Sequence, residues 1–381
     1  MSQLLPISHF ESLLPVLIQL LQMLVKQESP TTSKHAVDDL GEKVAEEMRD
    51  LGANVERYPQ SEVGDHWLGS WGEGDDGILL MLHLDTVYPM GTLDIMPWRE
   101  SDDFIFGPGV VDMKASVAMA LIAIRASRDA GLLPPGRLSM LCTSDEETGS
   151  QTSRELIEEL ARGHKVVFCM EPALRDGSLK TWRKGISNFI IETRGVSAHA
   201  GAAIEEGVNA IVEMGLQIPE ILELQSSEAE TTINFGVIEG GTRSNVVPQK
   251  CRARVDLRSK TYAEGERVAE SLLHLKPKLH GAEISVKGGW NRPPMERSPL
   301  IELTFEKARS IAENIGLNLT EGGTGGGSDA NFVAPLRIPI LDGLGAIGKG
   351  AHSSDERIEK KSLPARTALI SALITDWWNT S

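Results

Sequence analysis

The sequence predicts an α/β protein: a doubly wound, mostly parallel sheet domain interrupted by an inserted ferredoxin-like α+β domain. Three observations point there. In the N-terminal half, short apolar runs bounded by turns alternate with stretches of helical periodicity, as in sheets buried on both faces. Beyond Gly185 the order becomes strand, helix, strand, strand, helix, strand, which is the split βαβ arrangement. Finally, the chain has 381 residues, more than the roughly 250–300 that one core usually serves.

The first element is a helix over 13–25, where Leu13, Val16, Leu17, Leu20 and Leu24 recur at helical spacing. Pro15 and Gln19 break it, it is too short to span a bilayer, and it lacks the basic leader and cleavage site of a signal peptide. It reads as a core-facing helix of a cytoplasmic protein. A second helix over 38–51 stops at Gly52, a C-cap. Strands follow over 53–58 and 65–71, then a turn at 72–77 and the apolar run ILLML that ends in His83. Helices over 113–130 and 153–161 stop at Gly131 and near Gly163. The runs LSMLCT and VVFCM read as buried strands leading into Asp145–Glu146–Glu147 and Glu171.

In the inserted domain the reading is strand 186–194, helix 207–224, strands 231–239 and 250–258, helix 262–275 and strand 283–287. The stretch GGWNRPP at 288–294 has the composition of a hinge. A helix over 300–315, a glycine-rich loop, a strand over 338–341 and a helix over 363–378 complete the first domain. The expected division is 1–185 and 294–381 for the sheet domain and 186–293 for the insertion.

With 38 basic and 54 acidic residues the net charge is −16, which argues against nucleic acid or an anionic membrane surface as partner. Cys142, Cys169 and Cys251 are too few and too strand-embedded for a disulfide framework, and read as buried thiols in a reducing compartment.

The chemistry sits at strand ends, where ligands gather in such sheets. His83, Asp145–Glu147 and Glu171 each follow an apolar run, so three strands aim metal-competent groups at one crevice. Asp112, in GPGVVDMK, and His352, in GAHSSDE, complete the set. Taken singly, His83 has a duller reading as a core histidine, Asp112 and the Glu146–Glu147 pair as acids at helix starts, and Glu171 and His352 carry little alone. Asp85 shares a face with His83 and reads as the orienter of a ligand. Asp112, Glu147 and Glu171 would repel one another without cations, which favours two metal ions over one. Of the adjacent Glu146 and Glu147, one can face a metal and the other the attacking water, as a general base must. Two other patterns carry less. GEGDDG at 72–77 precedes a strand, not a helix, so it is no dinucleotide fingerprint; GGSDA at 326–330 lacks the last glycine of a nucleophile elbow.

Together HLDTV, GPGVVDMK, DEETGS, MEP, SAHAG and GAHSSDE resemble the two-zinc exopeptidases and deacylases, from about residue 10 to the C-terminus. SNVVP, NRPP and TGGGSDA bring the chain nearest the glutamate carboxypeptidase branch. The resemblance implies two zinc ions bridged by Asp112, with His83 and Glu171 on one and Glu147 and His352 on the other. It also implies that Asp85 orients His83, that Glu146 is the general base and that the bond after Asp112 is cis. The insertion would be a lid and homodimerisation domain, whose His199 reaches the partner subunit's site to bind the oxyanion. Asn245, Arg258, Arg292 and Gly327 match substrate-binding positions, Arg292 as the clamp for a terminal carboxylate. Ala115 and Ser116 depart from the glycine common after the Asp-x-Lys motif. Cobalt or manganese would also suit these ligands. The expected reaction is hydrolysis of the amide bond to a C-terminal amino acid of a small peptide. The alternatives are an N-acyl-amino-acid deacylase and a catalytically silent metal- or amino-acid-binding protein, whose mark would be loss of Glu146 or of a ligand.

Overall fold

A computed structural model describes residues 4–74 and 76–378. Two compact units emerge: Trp182–Glu296 with Thr324–Gly327 form the second, and the remaining described residues the first.

The first unit is built on a six-stranded sheet in the order Asn54–Tyr58, His66–Trp71, Arg137–Thr143, Gly77–His83, Val166–Cys169 and Ile340–Leu341. The first two pairings are antiparallel and the other three parallel, so the expected α/β class with a mostly parallel sheet is the one adopted. Every residue of Gly77–His83 is buried, which explains an apolar run without alternation. The helices Ala115–Asp129 and Leu363–Asp376 are buried nearly all round and pack together with Ile7–Lys26.

Four expectations are corrected. The N-terminal helix runs over Ile7–Lys26, straight through Pro15. Both Pro15 and Glu11, whose carbonyl a proline cannot serve, lie on the exposed face, where water can take over. At 20 residues the helix is long and apolar enough to cross a membrane by length and composition, while Phe10, Leu17, Leu20, Leu21, Leu24 and Val25 belong to the core. The helix expected from Met113 begins at Ala115, behind a wide turn over Val110–Lys114. The hinge-like GGWNR is the end of a strand, Glu283–Arg292; a Cβ on Gly288 would stand 2.1 Å from the Asn188 carbonyl oxygen, so glycine there serves close strand contact. Lastly, an unforeseen four-stranded sheet joins Gly348–Lys349, Arg357–Glu359, Phe104–Phe106 and Arg99–Glu100. Its strands are too short to show alternation.

The second unit has a four-stranded antiparallel sheet in the order Thr232–Gly240, Lys250–Ser259, Gly185–Arg194 and Glu283–Arg292. Helices Ala210–Leu222 and Tyr262–Leu273 pack on it. Asn209 caps the first by accepting from the amides of Ile211 and Val212, and Thr261 caps the second through Glu264 N. Phe189, Ile191, Met214, Val255, Leu257 and Leu272 form its own core.

Candidate metal centre

Three parallel strands in register bring the first groups together. His83 ends the central strand opposite Thr143, and Met81 lies opposite Cys169. The chain then continues past Thr143 into the short turn Glu146–Thr148, and past Cys169 to Glu171. Asp112 comes from the wide turn, whose Asp112–Met113 peptide bond is cis. His352 comes from the loop joining Gly348–Lys349 to Arg357–Glu359, with φ at 63°.

Asp112 stands in the middle. Its Oδ1 is 3.1 Å from His83 Nε2 and its Oδ2 3.5 Å from His352 Nε2, one oxygen toward each imidazole. Glu171 Oε1 lies 3.7 Å from His83 Nε2, and Glu147 Oε2 3.1 Å from His352 Nε2. One ligand atom each from His83, Asp112 and Glu147 lie within 4.8 Å of one another. The structure thus gathers all five residues singled out as ligands, scattered in sequence, around one carboxylate.

Asp85 is tied to the site in two ways. His83 Nδ1 is 3.0 Å from the main-chain oxygen of Asp85 and 3.5 Å from its carboxylate. A carbonyl can only accept, so the bond leaves a proton on Nδ1 and turns Nε2 toward Asp112. The carboxylate meanwhile accepts from Thr31 Oγ1 at 2.7 Å and from the amides of Glu146 and Glu147 at 3.3 and 3.2 Å. It therefore fixes the turn that carries both glutamates, a task that the sequence did not reveal. Asp145 supports that turn from behind. Its Oδ2 accepts from the amide and hydroxyl of Thr152, at 2.7 and 2.9 Å, and the hydroxyl continues to buried His66 at 3.0 Å.

The electrostatics describe a site short of positive charge. Burial opposes ionisation of Asp112, yet hydrogen bonds from His352 and His83 hold its carboxyl well below the usual range. Burial likewise opposes a charge on His83, but the bonds from Asp112 and Asp85 raise its pKa well above the ordinary value. Asp112 and Glu147 push His352 up to about 10. Glu147 is raised, chiefly by burial. Protons on two imidazoles thus serve as counter-charges. Divalent cations would take over that role with neutral imidazoles as ligands. One atom in particular fits a cation: Glu147 Oε1 is buried without a hydrogen-bond partner, an arrangement that is costly for a carboxylate unless something else satisfies it.

Ala115 and Ser116, the departure from the family pattern, are both fully buried at the start of the helix behind Asp112. Opposite Ser116 stands Gly345, where a Cβ would be 2.2 Å from the serine hydroxyl oxygen. Glycine there makes the room that serine needs.

The remaining residues belong to the second unit. His199 is exposed, and its Nδ1 accepts from the amides of Gly201 and Ala202, each at 3.1 Å, which leaves Nε2 as the donor. Asn245 is exposed, with its carbonyl bound by Ala200 N at 3.1 Å. Arg258 directs Nε and Nη2 at the Asp256 carboxylate, at 3.0 and 3.3 Å, and Nη1 at the Gly325 carbonyl at 2.9 Å. Arg292 is 3% exposed at the end of its strand. A Cβ on Gly327 would come within 3.0 Å of Arg292 Cδ.

Sequence reasoning missed one conspicuous residue beside the site. Glu356, the last residue of GAHSSDE, is fully buried and accepts from the amides of Gly109, Val111 and Asp112 at 2.9, 2.7 and 3.1 Å. Its only sequence signal was proximity to His352.

Residues 79–376 match the family model described as peptidase family M20/M25/M40. The chain is 31% identical over 373 residues to carboxypeptidase G2 of Pseudomonas sp. (strain RS-16), covering 95% of this chain and 89% of the relative. It is 29% identical over 351 residues to succinyl-diaminopimelate desuccinylase of Dechloromonas aromatica (strain RCB), covering 85% and 89%. Among solved structures, aminopeptidase PepT from Bacillus cereus ATCC 10987 is similar with a TM-score of 0.77 at 25% identity, covering 95% of this chain and 98% of that one.

Proposed function

The chain belongs to peptidase family M20/M25/M40, and from that premise we propose that it is a two-zinc carboxypeptidase, releasing a C-terminal amino acid such as glutamate from a small peptide. The observation that carries this reading is the pair of imidazoles on opposite oxygens of Asp112, beside the buried, partnerless Glu147 Oε1. Asp112 would hold both ions, His83 and Glu171 one of them, and Glu147 and His352 the other. When bound, the ions supply Lewis acidity, acidifying a water and polarising the scissile carbonyl.

The chain's own residues do the rest. Glu146 takes the proton of the attacking water and returns it to the departing amine. Asp85 holds the Glu146 turn and the His83 tautomer together. His199 donates from Nε2 to the oxyanion, acting on the site of a partner subunit. Arg292 receives the terminal carboxylate in its planar fork, with Asn245 and Gly327 as further substrate contacts. For Arg258 to join them it must share a guanidinium already engaged by Asp256.

Homodimerisation through the second unit is part of this reading. Ile211, Val212 and Leu216 on one helix, with Val237 and Ile238 on the edge strand Thr232–Gly240, are apolar and at least 40% exposed. Light scattering during size-exclusion chromatography is expected to give twice the chain mass.

A second reading, deacylation of N-acyl amino acids by the same machinery, draws on the similarity to the desuccinylase. One experiment separates the two. Zinc-, cobalt- and manganese-loaded protein is assayed against peptidyl and N-acyl derivatives of glutamate, aspartate and neutral amino acids. Preference for peptidyl glutamate supports the carboxypeptidase, preference for small acyl groups the deacylase, and inertness throughout with metals bound sinks both.

A further inference from the structure

We infer that Glu356 is a positioning residue of the metal centre: its carboxylate locks the backbone of the Asp112 turn to the loop that carries His352, and so sets the spacing between these two ligands. This rests on the two-metal reading of the site.

Arg357–Glu359 pairs antiparallel with Phe104–Phe106, with Arg357 opposite Phe106. One step further along both strands, Glu356 meets Gly107, whose amide approaches the Glu356 carbonyl at 3.5 Å. The chain then turns through GPG. Gly109 adopts φ 70° and ψ 14°, and a Cβ there would come within 2.6 Å of Thr86 Cγ2, so both the conformation and the space favour glycine. Its result is a concave set of N–H groups of the kind that binds anions.

The anion is supplied from within. Glu356 Oε2 accepts from Gly109 N, and Oε1 from Val111 N and Asp112 N. Three amides of the Asp112 turn therefore converge on one side chain of the His352 loop, at full burial. On the same loop the Ser353 carbonyl accepts from Tyr88 Oη at 2.9 Å, which ties the stretch after His83 to it as well. His352 itself is half exposed and has a positive φ. Its imidazole meets Glu147 and Asp112 at 3.1 and 3.5 Å, and beside the Tyr88 bond it is the buried carboxylate four residues on that ties its loop directly to the Asp112 turn.

Ligand spacing is a property that general stability does not report, and this defines the test. Metal-free wild type, Glu356→Ala and Glu356→Gln are titrated with Co²⁺, recording dissociation constants, the visible absorption of the bound ion and metal content per chain, with thermal melting in parallel. Glutamine keeps the shape and one acceptor oxygen, enough for Val111 N and Asp112 N, but presents an N–H₂ to Gly109 N. The expected result is that alanine weakens binding of the ion shared with His352 at least tenfold and alters its spectrum, while glutamine recovers part of both. Wild-type constants and spectrum in either folded variant, with only the melting temperature lowered, overturn the inference. Should the alanine variant not fold, the glutamine variant decides by the same criteria. Failure of wild type to bind two ions would instead refute the two-metal reading.

Discussion

The two imidazoles of the candidate centre do the same job from opposite kinds of support. His83 is 2% exposed, ends a fully buried central strand and is fixed through Nδ1 by the Asp85 carbonyl. The His352 side chain is 52% exposed, on a surface loop. One half of the site is thus part of the core, and the other is held by a tether. The contrast teaches that rigidity comes to the two groups from different parts of the fold: on the two-metal reading, the central sheet would preorganise one cation position, while the small four-stranded sheet and Glu356 would bring the second within reach.

The largest expected effect falls on the turn that serves both halves. Glu146→Gln should lower kcat by about 10²–10⁴-fold, the usual worth of general acid–base catalysis, while metal analysis still finds both ions. Near wild-type turnover would mean that the base lies elsewhere.

Next comes the comparison itself. His83→Ala should abolish binding of the ion it shares with Glu171 and weaken the second, because it strips the buried side of Asp112 and Glu171 of their nearest imidazole; it should also destabilise the metal-free fold by about 1–3 kcal/mol for buried polar groups left without a partner. His352→Ala should keep one ion per chain. Equal losses in the two variants would break the distinction between core and tether.

A smaller effect concerns pH. The pKa of His352 is raised from 6.5 to about 10 by Asp112 and Glu147. A raised pKa means stabilisation that is complete below the unfolded value and is lost as pH climbs through the folded one. The melting temperature of metal-free protein should therefore fall modestly between about pH 6.5 and 10, since solvent screens a half-exposed pair. The same proton competes with metal, so apparent affinity should rise over that interval. His352→Ala should flatten both slopes; unchanged slopes would remove His352 from the account.

The smallest is a control in the second unit. Asn209→Ala deletes an N-cap worth about 1 kcal/mol and should lower the melting temperature without changing metal content.

How legible all this was in the sequence follows from length and burial. Gly77–His83 and Val166–Cys169 were readable because burial on both faces leaves an uninterrupted apolar run, and the group past each run then falls at the sheet's end. The βαββαβ order of the second unit was readable as a succession of strand and helix segments beyond Gly185. Gly348–Lys349 and Arg99–Glu100 were not, since two residues carry no period. Neither was the turn at Val110–Lys114, because Val, Met and Lys at those positions continue a helical pattern that the backbone abandons. Glu356 escaped because an acid between Asp355 and Arg357 looks like any solvated charge. What its carboxylate binds is backbone, and main-chain amides leave no trace in residue identities.

The fixed register of the three central strands restricts the gene in a way that no single substitution probes. Deleting one codon within Gly77–His83, Arg137–Thr143 or Val166–Cys169 would exchange the two faces of that strand, and every reactive group would still be encoded yet point the wrong way. Gly72–Gly74, after the strand His66–Trp71 and ahead of the central strand, are under no such arithmetic. Tolerance to insertions and deletions, scanned codon by codon, should therefore drop sharply where each strand begins and stay low through Asp85, Glu146, Glu147 and Glu171 just beyond the strand ends.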